Sequence, residues 1–308
     1  MSGRTLRSRQ QPVDSRQDIY GLLPTLYGVE ARHVVPPPSE KKTQVMGILN
    51  VTPDSFYDGG RYLKVRDAVR RGLQIIDEGA DLVDIGGVST RPGSEIITAK
   101  EELKRVIPVI KELASQTERP LSVDTYRASV AEKALEAGAV IVNDISGLND
   151  KDMARVVASH NATLVIMHIR GKPHCYPKNP VYRNISVEVS SFLKRRVEMA
   201  LSVGIKSSNI IIDPGLGFGK TASQSLELLR RLGELRALGQ PIMVGPSRKS
   251  FIGKVLGVDA EDRLPGTLAV ITLAILQGAS IIRVHDVKEA VQVVALCDTF
   301  KVKRWKEL

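Results

Sequence analysis

Eight short apolar segments recur along the chain, and segments of helical period separate them. In chain order the apolar segments are VMGIL (45–49), LVDIG (82–86), LSVD (121–124), VIVND (140–144), TLVIMH (163–168), IIID (210–213), IMVG (242–245) and IIRVHD (281–286). The clearest helical segment spans residues 189–201, where apolar side chains recur every three or four positions. Strands alternating with amphipathic helices are typical of α/β folds, so these eight units predict an eight-stranded parallel (β/α)8 TIM barrel. A doubly wound open sheet is the alternative, because the pattern does not show whether the sheet closes.

Polar, glycine-rich clusters follow all eight apolar segments. They include NVTPDSFYDGG (50–60) after the first segment and DPGLGFGK (213–220) at the end of the sixth. In a (β/α)8 barrel the active site lies at the C-terminal ends of the strands, in the loops that follow them. One or two such clusters would be ordinary turns, whereas eight at one rim predict a single site.

Carboxylates and amides stand at the ends of three predicted strands, at Asp124, Asn143 and Asp213. A carboxylate in an apolar-walled barrel mouth can accept two parallel hydrogen bonds from an amidine-like edge, such as that of a 2-aminopyrimidinone ring. The alternative for each residue is to cap the helix that follows. The three together favour a pocket for a guanine-like or pterin-like heterocycle.

Basic residues cluster in three of the same loops. The motifs STRPG (89–93), PSRKS (246–250) and RVHD (283–286) contribute Arg91, Arg248, Lys249, Arg283 and His285. Cations and helix N-termini attract phosphate and carboxylate, so these loops predict that two anions bind at the rim. For Arg248 alone we favour the alternative of an ion pair with a neighbouring acid.

The first and fifth loops hold further candidates. Residues 50–60 offer Asn50 and Asp58 among oxygen donors that suit Mg2+, which takes one or two protein oxygens beside substrate phosphates; a mobile lid is a compatible role. His168, at the end of the fifth segment, is either catalytic or, as we favour, a hydrogen-bonded wall residue.

The stretch DPGLGFGKT (213–221) resembles a phosphate-binding loop but does not fit that template. The template requires a glycine five positions before the glycine of Gly-Lys-Thr, and counting back from Gly219 gives Pro214. We therefore expect Asp213 to be the functional residue of this loop, and Lys220 and Thr221 to begin the next helix.

Charge and composition exclude several classes of function. The net charge is +10, but residues 1–44 carry seven Lys/Arg against four Asp/Glu, and residues 300–308 carry four against one. The proline run VVPPPSEKK (34–42) is typical of an extended connector. The sequence therefore predicts a basic extension (1–43) that is partly disordered, a barrel (44–299) and a basic tail (300–308). Because the barrel is only mildly basic and poor in aromatic residues, we expect no nucleic-acid partner. We also expect no membrane association and a cytoplasmic location, since no apolar segment has the length of a membrane span and the early arginines are interrupted by acids, unlike a mitochondrial presequence.

The motifs, taken in order, resemble the dihydropteroate synthase family over residues 44–299. The quoted segments are GILNVTPDSFYDGG, DIGGVSTRPG, SVDTYRASVA, VNDISG, DPGLGFGKT, GPSRKSFIG, RLPGTLA and RVHDV. The resemblance implies a (β/α)8 barrel that joins dihydropterin pyrophosphate to p-aminobenzoate with Mg2+, acts as a homodimer and is a target of sulfonamides.

The resemblance also implies residue roles. The implied pterin pocket comprises Asp124, Asn143, Asp213 and Lys249, with Met167 as a wall and Arg283 against the ring. The implied pyrophosphate and Mg2+ site comprises Asn50, Arg283 and His285. The implied aminobenzoate site comprises Thr90, Arg91, Pro92, Phe218, Lys249 and Ser250, and Asp58 helps to order the site. The chain departs from the family at Val88, where many members have Glu, and in GKPHCYPKNP (171–180). A pterin-dependent methyltransferase, a P-loop hydrolase and a nucleic-acid-binding module are the competing hypotheses.

Overall fold

The structure of the protein, a computed structural model, describes residues 42–52, 61–89, 96–177 and 179–302, and of residues 61–64 it describes the backbone alone. Outside the described residues lie nearly all of the predicted extension, the end of the predicted tail, and the predicted site residues Asp58, Thr90, Arg91 and Pro92. In the described part, no helix is long and apolar enough to cross a membrane.

Strands and helices alternate along the described chain. The strands are β1 (Gln44–Asn50), β2 (Leu82–Gly86), β3 (Leu121–Asp124), β4 (Ile141–Asp144), β5 (Thr163–Met167), β6 (Ile210–Asp213), β7 (Met243–Val244) and β8 (Ile281–Val284). The helices are α1 (Arg61–Asp77), α2 (Ala99–Gln116), α3 (Ala128–Glu136), α4 (Met153–Ser159), α5 (Ile185–Ser202), α6 (Ala222–Arg230), α7 (Ser250–Leu256), α8 (Leu264–Leu276) and α9 (Val287–Lys301). All eight predicted strands are confirmed, although β7 is shorter than its apolar segment and β8 ends before His285.

The strands form one parallel sheet in the order β6-β5-β4-β3-β2-β1-β8-β7. Its two ends meet at a parallel bridge between Ile212 on β6 and Ile242 beside β7, where the Ile212 amide donates to the Pro241 carbonyl at 3.0 Å. The sheet therefore curves into a barrel, as predicted, and the open-sheet alternative is wrong.

Two apolar layers hold the barrel together. The larger lies between strands and helices and includes Val83 and Ile85 of β2 with Val106 and Ile110 of α2. The smaller forms the floor inside the barrel and takes one residue from each of seven strands: Met46, Leu82, Ile141, Val165, Ile211, Met243 and Ile281. The interior of the barrel is thus a packed core rather than a pore.

The floor layer determines which residues line the mouth. Side chains alternate between the two faces of a strand, so the residue two positions after each floor residue also faces the interior, one layer nearer the C-terminal rim. These residues are Ile48, Asp84, Asn143, Met167, Asp213, Gly245 and Arg283. Four of the seven are polar or charged, so the layer above the apolar floor carries the polar groups of the mouth.

Candidate active site

A cavity at the C-terminal mouth brings together seven of the residues predicted from the sequence. It encloses about 360 Å³ of space, part of which opens to solvent. The predicted residues that line it are Asp124, Asn143, Met167, Asp213, Phe218, Lys249 and Arg283, and they are joined by Ile145, Gly215, Leu216 and Gly245. Loops that are far apart in sequence thus form one site.

Arg283 joins two carboxylates at one side of the cavity. Its Nε donates to Oδ2 of Asp84 at 2.6 Å and its Nη2 donates to Oδ2 of Asp124 at 2.6 Å. Burial opposes the charge of Arg283, but Asp84 and Asp124 raise its pKa above the ordinary value. Arg283 is therefore a fixed cation at the cavity.

Asp84 is a site residue that the sequence analysis missed. It is completely buried, and its Oδ2 also accepts a hydrogen bond from Nδ2 of Asn143 at 3.0 Å. The sequence did contain a signal, because an aspartate within an apolar strand needs a buried partner and Arg283 lies within another such strand.

Asn143 presents an acceptor that has no partner. Its side chain is almost completely buried, and its Oδ1 bonds to no atom of the described residues. The carboxylate of Asp84 fixes the orientation of this amide, since only Nδ2 can donate to it. Oδ1 is therefore left to accept a hydrogen bond from a ligand.

The two cavity carboxylates both have raised pKa values. Burial raises the pKa of Asp124 to about 7; Arg283 opposes this shift and Asp84 adds to it. Burial also raises the pKa of Asp213, whose Oδ1 accepts from the Gly215 amide at 2.7 Å. Because burial raises both pKa values, a ligand that adds hydrogen-bond donors to the cavity would favour the charged form of each carboxylate.

Lys249 and Phe218 form a third side of the cavity. Nζ of Lys249 lies 3.8 Å from the centroid of the Phe218 ring, and burial lowers the pKa of Lys249 to about 8. Lys249 immediately precedes α7, and Ser250 is the exposed first residue of that helix, as predicted. A cation and an aromatic face therefore stand on one wall, and Ser250 follows Lys249 in the chain without lining the cavity itself.

His285 and Asn50 lie together at the rim. Nε2 of His285 is 3.3 Å from Nδ2 of Asn50, and Nδ1 of His285 is 2.9 Å from Oγ of Ser247. In the described ranges no group of three or more His, Cys, Asp or Glu residues could hold a metal ion. The donors that are present fit Mg2+ only where Asn50 supplies one amide oxygen and the other oxygens come from a phosphate and water.

Lys220 holds together the loop to which it belongs, the segment 214–221 between β6 and α6, here called loop six. Its Nζ donates to the carbonyls of Gly215 (2.8 Å), Phe218 (3.1 Å) and His168 (3.3 Å) and lies 2.9 Å from Nδ1 of His168. Thr221 caps α6 in a capping box with Gln224. The expectation that Lys220 begins the helix is therefore wrong, because its side chain binds its own loop, whereas Thr221 does begin the helix as its N-cap.

The glycines of loop six allow this close packing. Gly215 has φ +65°, and a Cβ there would lie 2.0 Å from the carbonyl oxygen of His168. Gly219 has φ +60°, and a Cβ there would lie 2.3 Å from the carbonyl oxygen of Arg170. The glycines serve contact between loops five and six rather than contact with a phosphate.

Two predicted alternatives agree with the geometry. Arg248 forms a bidentate pair with Asp286, at 2.9 Å for both bonds, so the ion-pair alternative describes it. His168 is buried against Phe192, with the two ring centroids 4.9 Å apart, which is the arrangement of a wall residue.

Comparisons with known proteins agree with this geometry. Residues 46–285 match the family model described as "Pterin binding enzyme". Dihydropteroate synthase of Synechocystis sp. is 47% identical over 260 residues, covering 84% of this chain and 90% of the relative.

Two solved structures are also similar. Dihydropteroate synthase of Xanthomonas albilineans in complex with 7,8-dihydropteroate is 40% identical with a TM-score of 0.77, covering 85% of this chain and 95% of that one. The Yersinia pestis enzyme, solved with a sulfonamide drug, is 39% identical with a TM-score of 0.81, covering 86% of this chain and 96% of that one. By sequence, fold and the residues of its cavity, the chain belongs to the pterin-binding enzyme family and, within it, to the dihydropteroate synthases.

Proposed function

We propose that the chain condenses 6-hydroxymethyl-7,8-dihydropterin pyrophosphate with p-aminobenzoate, giving 7,8-dihydropteroate and pyrophosphate in folate biosynthesis. The observation that carries this proposal is the composition of one cavity, in which Asp124, Asn143 and Asp213 face the cations Lys249 and Arg283. A heterocycle rich in N–H donors and an anionic leaving group suit those two sets of residues.

The polar residues of the cavity hold the pterin. Asp213 accepts two parallel hydrogen bonds from the 2-amino group and the neighbouring ring N–H, and Oδ1 of Asn143 accepts from a further ring donor. Asp124 completes the contacts at the ring edge, with Met167 as an apolar wall. Arg283 packs against the ring and faces the pyrophosphate.

The reaction needs positioning and charge neutralisation more than a strong base. The bond between the methylene carbon and the pyrophosphate oxygen breaks, and its electron pair leaves with pyrophosphate, because the electron-rich pterin stabilises the developing cation. The amine nitrogen of p-aminobenzoate then forms the carbon–nitrogen bond and loses one proton to solvent. Arg283 stabilises the departing charge, and the rigid cavity holds both reactants in line.

The aminobenzoate lies beside the pterin, towards the loop between β7 and α7 (245–249). Phe218 supplies an apolar wall, and Lys249 and Ser250 bind the carboxylate. Thr90, Arg91 and Pro92 complete this site, and Asp58 helps to order it, by resemblance to the family; these four lie outside the described residues.

Magnesium is part of the proposal. Asn50 supplies one oxygen, and His285, held by Ser247, binds the pyrophosphate beside it. When bound, Mg2+ neutralises charge on the departing pyrophosphate.

We also propose that the chain acts as a homodimer. Helix α8 is apolar on all sides, and a helix of this kind is normally buried, yet Leu273 is 51% and Leu276 49% exposed. The neighbouring α9 exposes Leu296 (73%) and Phe300 (59%). A second copy covering these side chains would remove the exposed apolar surface from water.

A cytoplasmic location and inhibition by sulfonamides complete the proposal. Cys175 and Cys297 form no disulfide, as a reducing compartment permits. Sulfonamides are aryl amines with an acidic group, so they suit the same wall as p-aminobenzoate.

The test is to incubate the protein with dihydropterin pyrophosphate, labelled p-aminobenzoate and Mg2+ and to measure labelled dihydropteroate. We expect product that depends on all three, and none from Asp213→Ala. The absence of product at micromolar concentrations of folded wild-type enzyme would contradict the proposal. Methyl transfer from a methyl-pterin would instead favour the methyltransferase alternative.

A further inference from the structure

We propose that Asp84 is a positioning residue that orients both Asn143 and Arg283 for the reaction. This inference rests on the proposed function, because it concerns how the same cavity holds the pterin and the departing pyrophosphate. One oxygen of Asp84, Oδ2, accepts from Nδ2 of Asn143 at 3.0 Å and from Nε of Arg283 at 2.6 Å. A single buried carboxylate thus links the residue at the heterocycle to the residue at the leaving group.

The location of Asp84 suits this role. It lies on β2 one layer above the floor residue Leu82, and its side chain is completely buried. A buried carboxylate is costly unless it is paired, and apolar residues of similar volume often pack as well as a buried ion pair does. Packing alone therefore gives no reason for a charge at this position, whereas orienting two site residues does.

Arg283 also binds a second carboxylate, that of Asp124, and this explains why Asp84 is needed. Nη2 of Arg283 donates to Asp124, which is also an acceptor facing the cavity. A pterin that engages Asp124 competes for that carboxylate, whereas Asp84 is completely buried and does not line the cavity, so the bond from Nε to Asp84 persists. Asp84 therefore keeps the guanidinium plane in place while Asp124 changes partners.

Asn143 depends on Asp84 in a different way. Its amide could present either end to the cavity, and the carboxylate selects the orientation in which Oδ1 is the free acceptor. With a neutral group at position 84, the amide could rotate and offer N–H donors to a pterin edge that itself donates. The loss would then appear in pterin binding even without pyrophosphate.

The experiment compares Asp84→Asn with Glu102→Gln. Glu102 is a matched control because it too is completely buried and pairs with an arginine, but its partner Arg127, unlike Arg283, does not line the cavity. The measurements are the affinity for 6-hydroxymethylpterin by calorimetry, inhibition by pyrophosphate, KM for p-aminobenzoate, and the melting temperature. Wild type is measured in parallel.

We expect Asp84→Asn to weaken the binding of pterin and of pyrophosphate by about tenfold or more each, because a charge-assisted hydrogen bond is lost. KM for p-aminobenzoate should stay within about twofold of wild type. Glu102→Gln should lower the melting temperature and leave pterin and pyrophosphate affinities within about twofold of wild type. Asp84→Glu, which keeps the charge but moves it, should lie between wild type and Asp84→Asn.

Three results would overturn the inference. One is unchanged pterin and pyrophosphate affinity in folded Asp84→Asn; another is an equal loss in Glu102→Gln. If Asp84→Asn does not fold, Asp84→Glu decides, and the inference fails if this variant keeps wild-type affinity for both ligands. A wild type that makes no dihydropteroate would instead contradict the proposed function.

Discussion

The ammonium group of Lys249 lies over the face of the Phe218 ring, with Nζ 3.8 Å from the ring centroid. A contact of this kind is worth about 1 kcal/mol or more where water is excluded, so each residue holds the other in place. Phe218→Leu should therefore raise KM for p-aminobenzoate by about five- to tenfold, because the ring wall and the support of Lys249 are both lost.

The matched control for this variant is Leu226→Ala, on the exposed side of α6. Steady-state kinetics with each substrate varied in turn check the prediction. An increase in KM for dihydropterin pyrophosphate as large as that for p-aminobenzoate would contradict the assignment of this wall.

Substitutions at Asp213 and at Ser250 should each affect the binding of a different substrate. Asp213→Ala removes the carboxylate that binds the pterin edge, so we expect loss of pterin binding by calorimetry. Ser250→Ala should mainly raise KM for p-aminobenzoate, by about three- to tenfold, the loss of one hydrogen bond to a charged group. Equal effects of either variant on both substrates would refute the division of the cavity.

The pH dependence of kcat/KM follows from Asp124 and Lys249. As the pH falls below about 7, Asp124 takes up a proton and loses its negative charge, and with it the charge-assisted hydrogen bonds that it accepts. As the pH rises above about 8, Lys249 loses its proton and its charge. We therefore expect a bell-shaped profile between these values, because kcat/KM reports ionisations of the free enzyme.

Lys249→Arg tests the alkaline limb. An arginine keeps its charge across this range, so the limb should move to higher pH in any variant that retains activity. An alkaline limb at the same pH in an active Lys249→Arg enzyme would mean that another group titrates there.

Lys220 should contribute to stability and not directly to chemistry. Lys220→Met leaves three buried carbonyl groups without their donor, so the free energy of unfolding should fall by about 2 kcal/mol or more. Urea denaturation measures this, with the exposed Lys254→Met as control. An equal effect of the two substitutions would contradict the role assigned to Lys220.

The apolar surface of α8 and α9 predicts the oligomeric state. Leu273→Glu and Leu296→Glu place charges where a second copy is proposed to pack, so they should shift the protein from dimer to monomer in sedimentation equilibrium. Val187→Glu, at a position on α5 about as exposed as Leu273, should leave the dimer intact. A wild type that is monomeric at micromolar concentration would contradict the dimer directly.

The fold and most of the cavity could be predicted because they depend on local patterns. Each strand is a short apolar run, and parallel strands all end at the same rim, so residues such as Asp124 and Asp213 had to meet there. The length of β7 was not predictable, since the apolar run at 242–245 does not show where its backbone bonds end.

Asp84 was missed because its partners are far away in sequence, and the role of Lys220 was missed because it depends on how two loops fold around its side chain. Asp84 meets Arg283 only when β2 and β8 lie on either side of β1 and both side chains point into the barrel. Lys220 stands beside a helix start, and nothing in its neighbours shows that the side chain turns back onto the carbonyls of two loops. Local pattern gives the position of a side chain but not its long-range partner.

The join between β6 and β7 makes one part of the barrel easier to open than the rest. Only a bridge at Ile212 connects the first and last strands of the described sheet order, and β7 is two residues long. Asp213 ends one of these strands and Lys249 follows the other, so a ligand bound to both residues spans the join. Bound pterin should therefore hold β6 and β7 together and suppress local opening of the barrel between them. We expect it to slow amide hydrogen exchange at Ile212 far more than at the middle of β4.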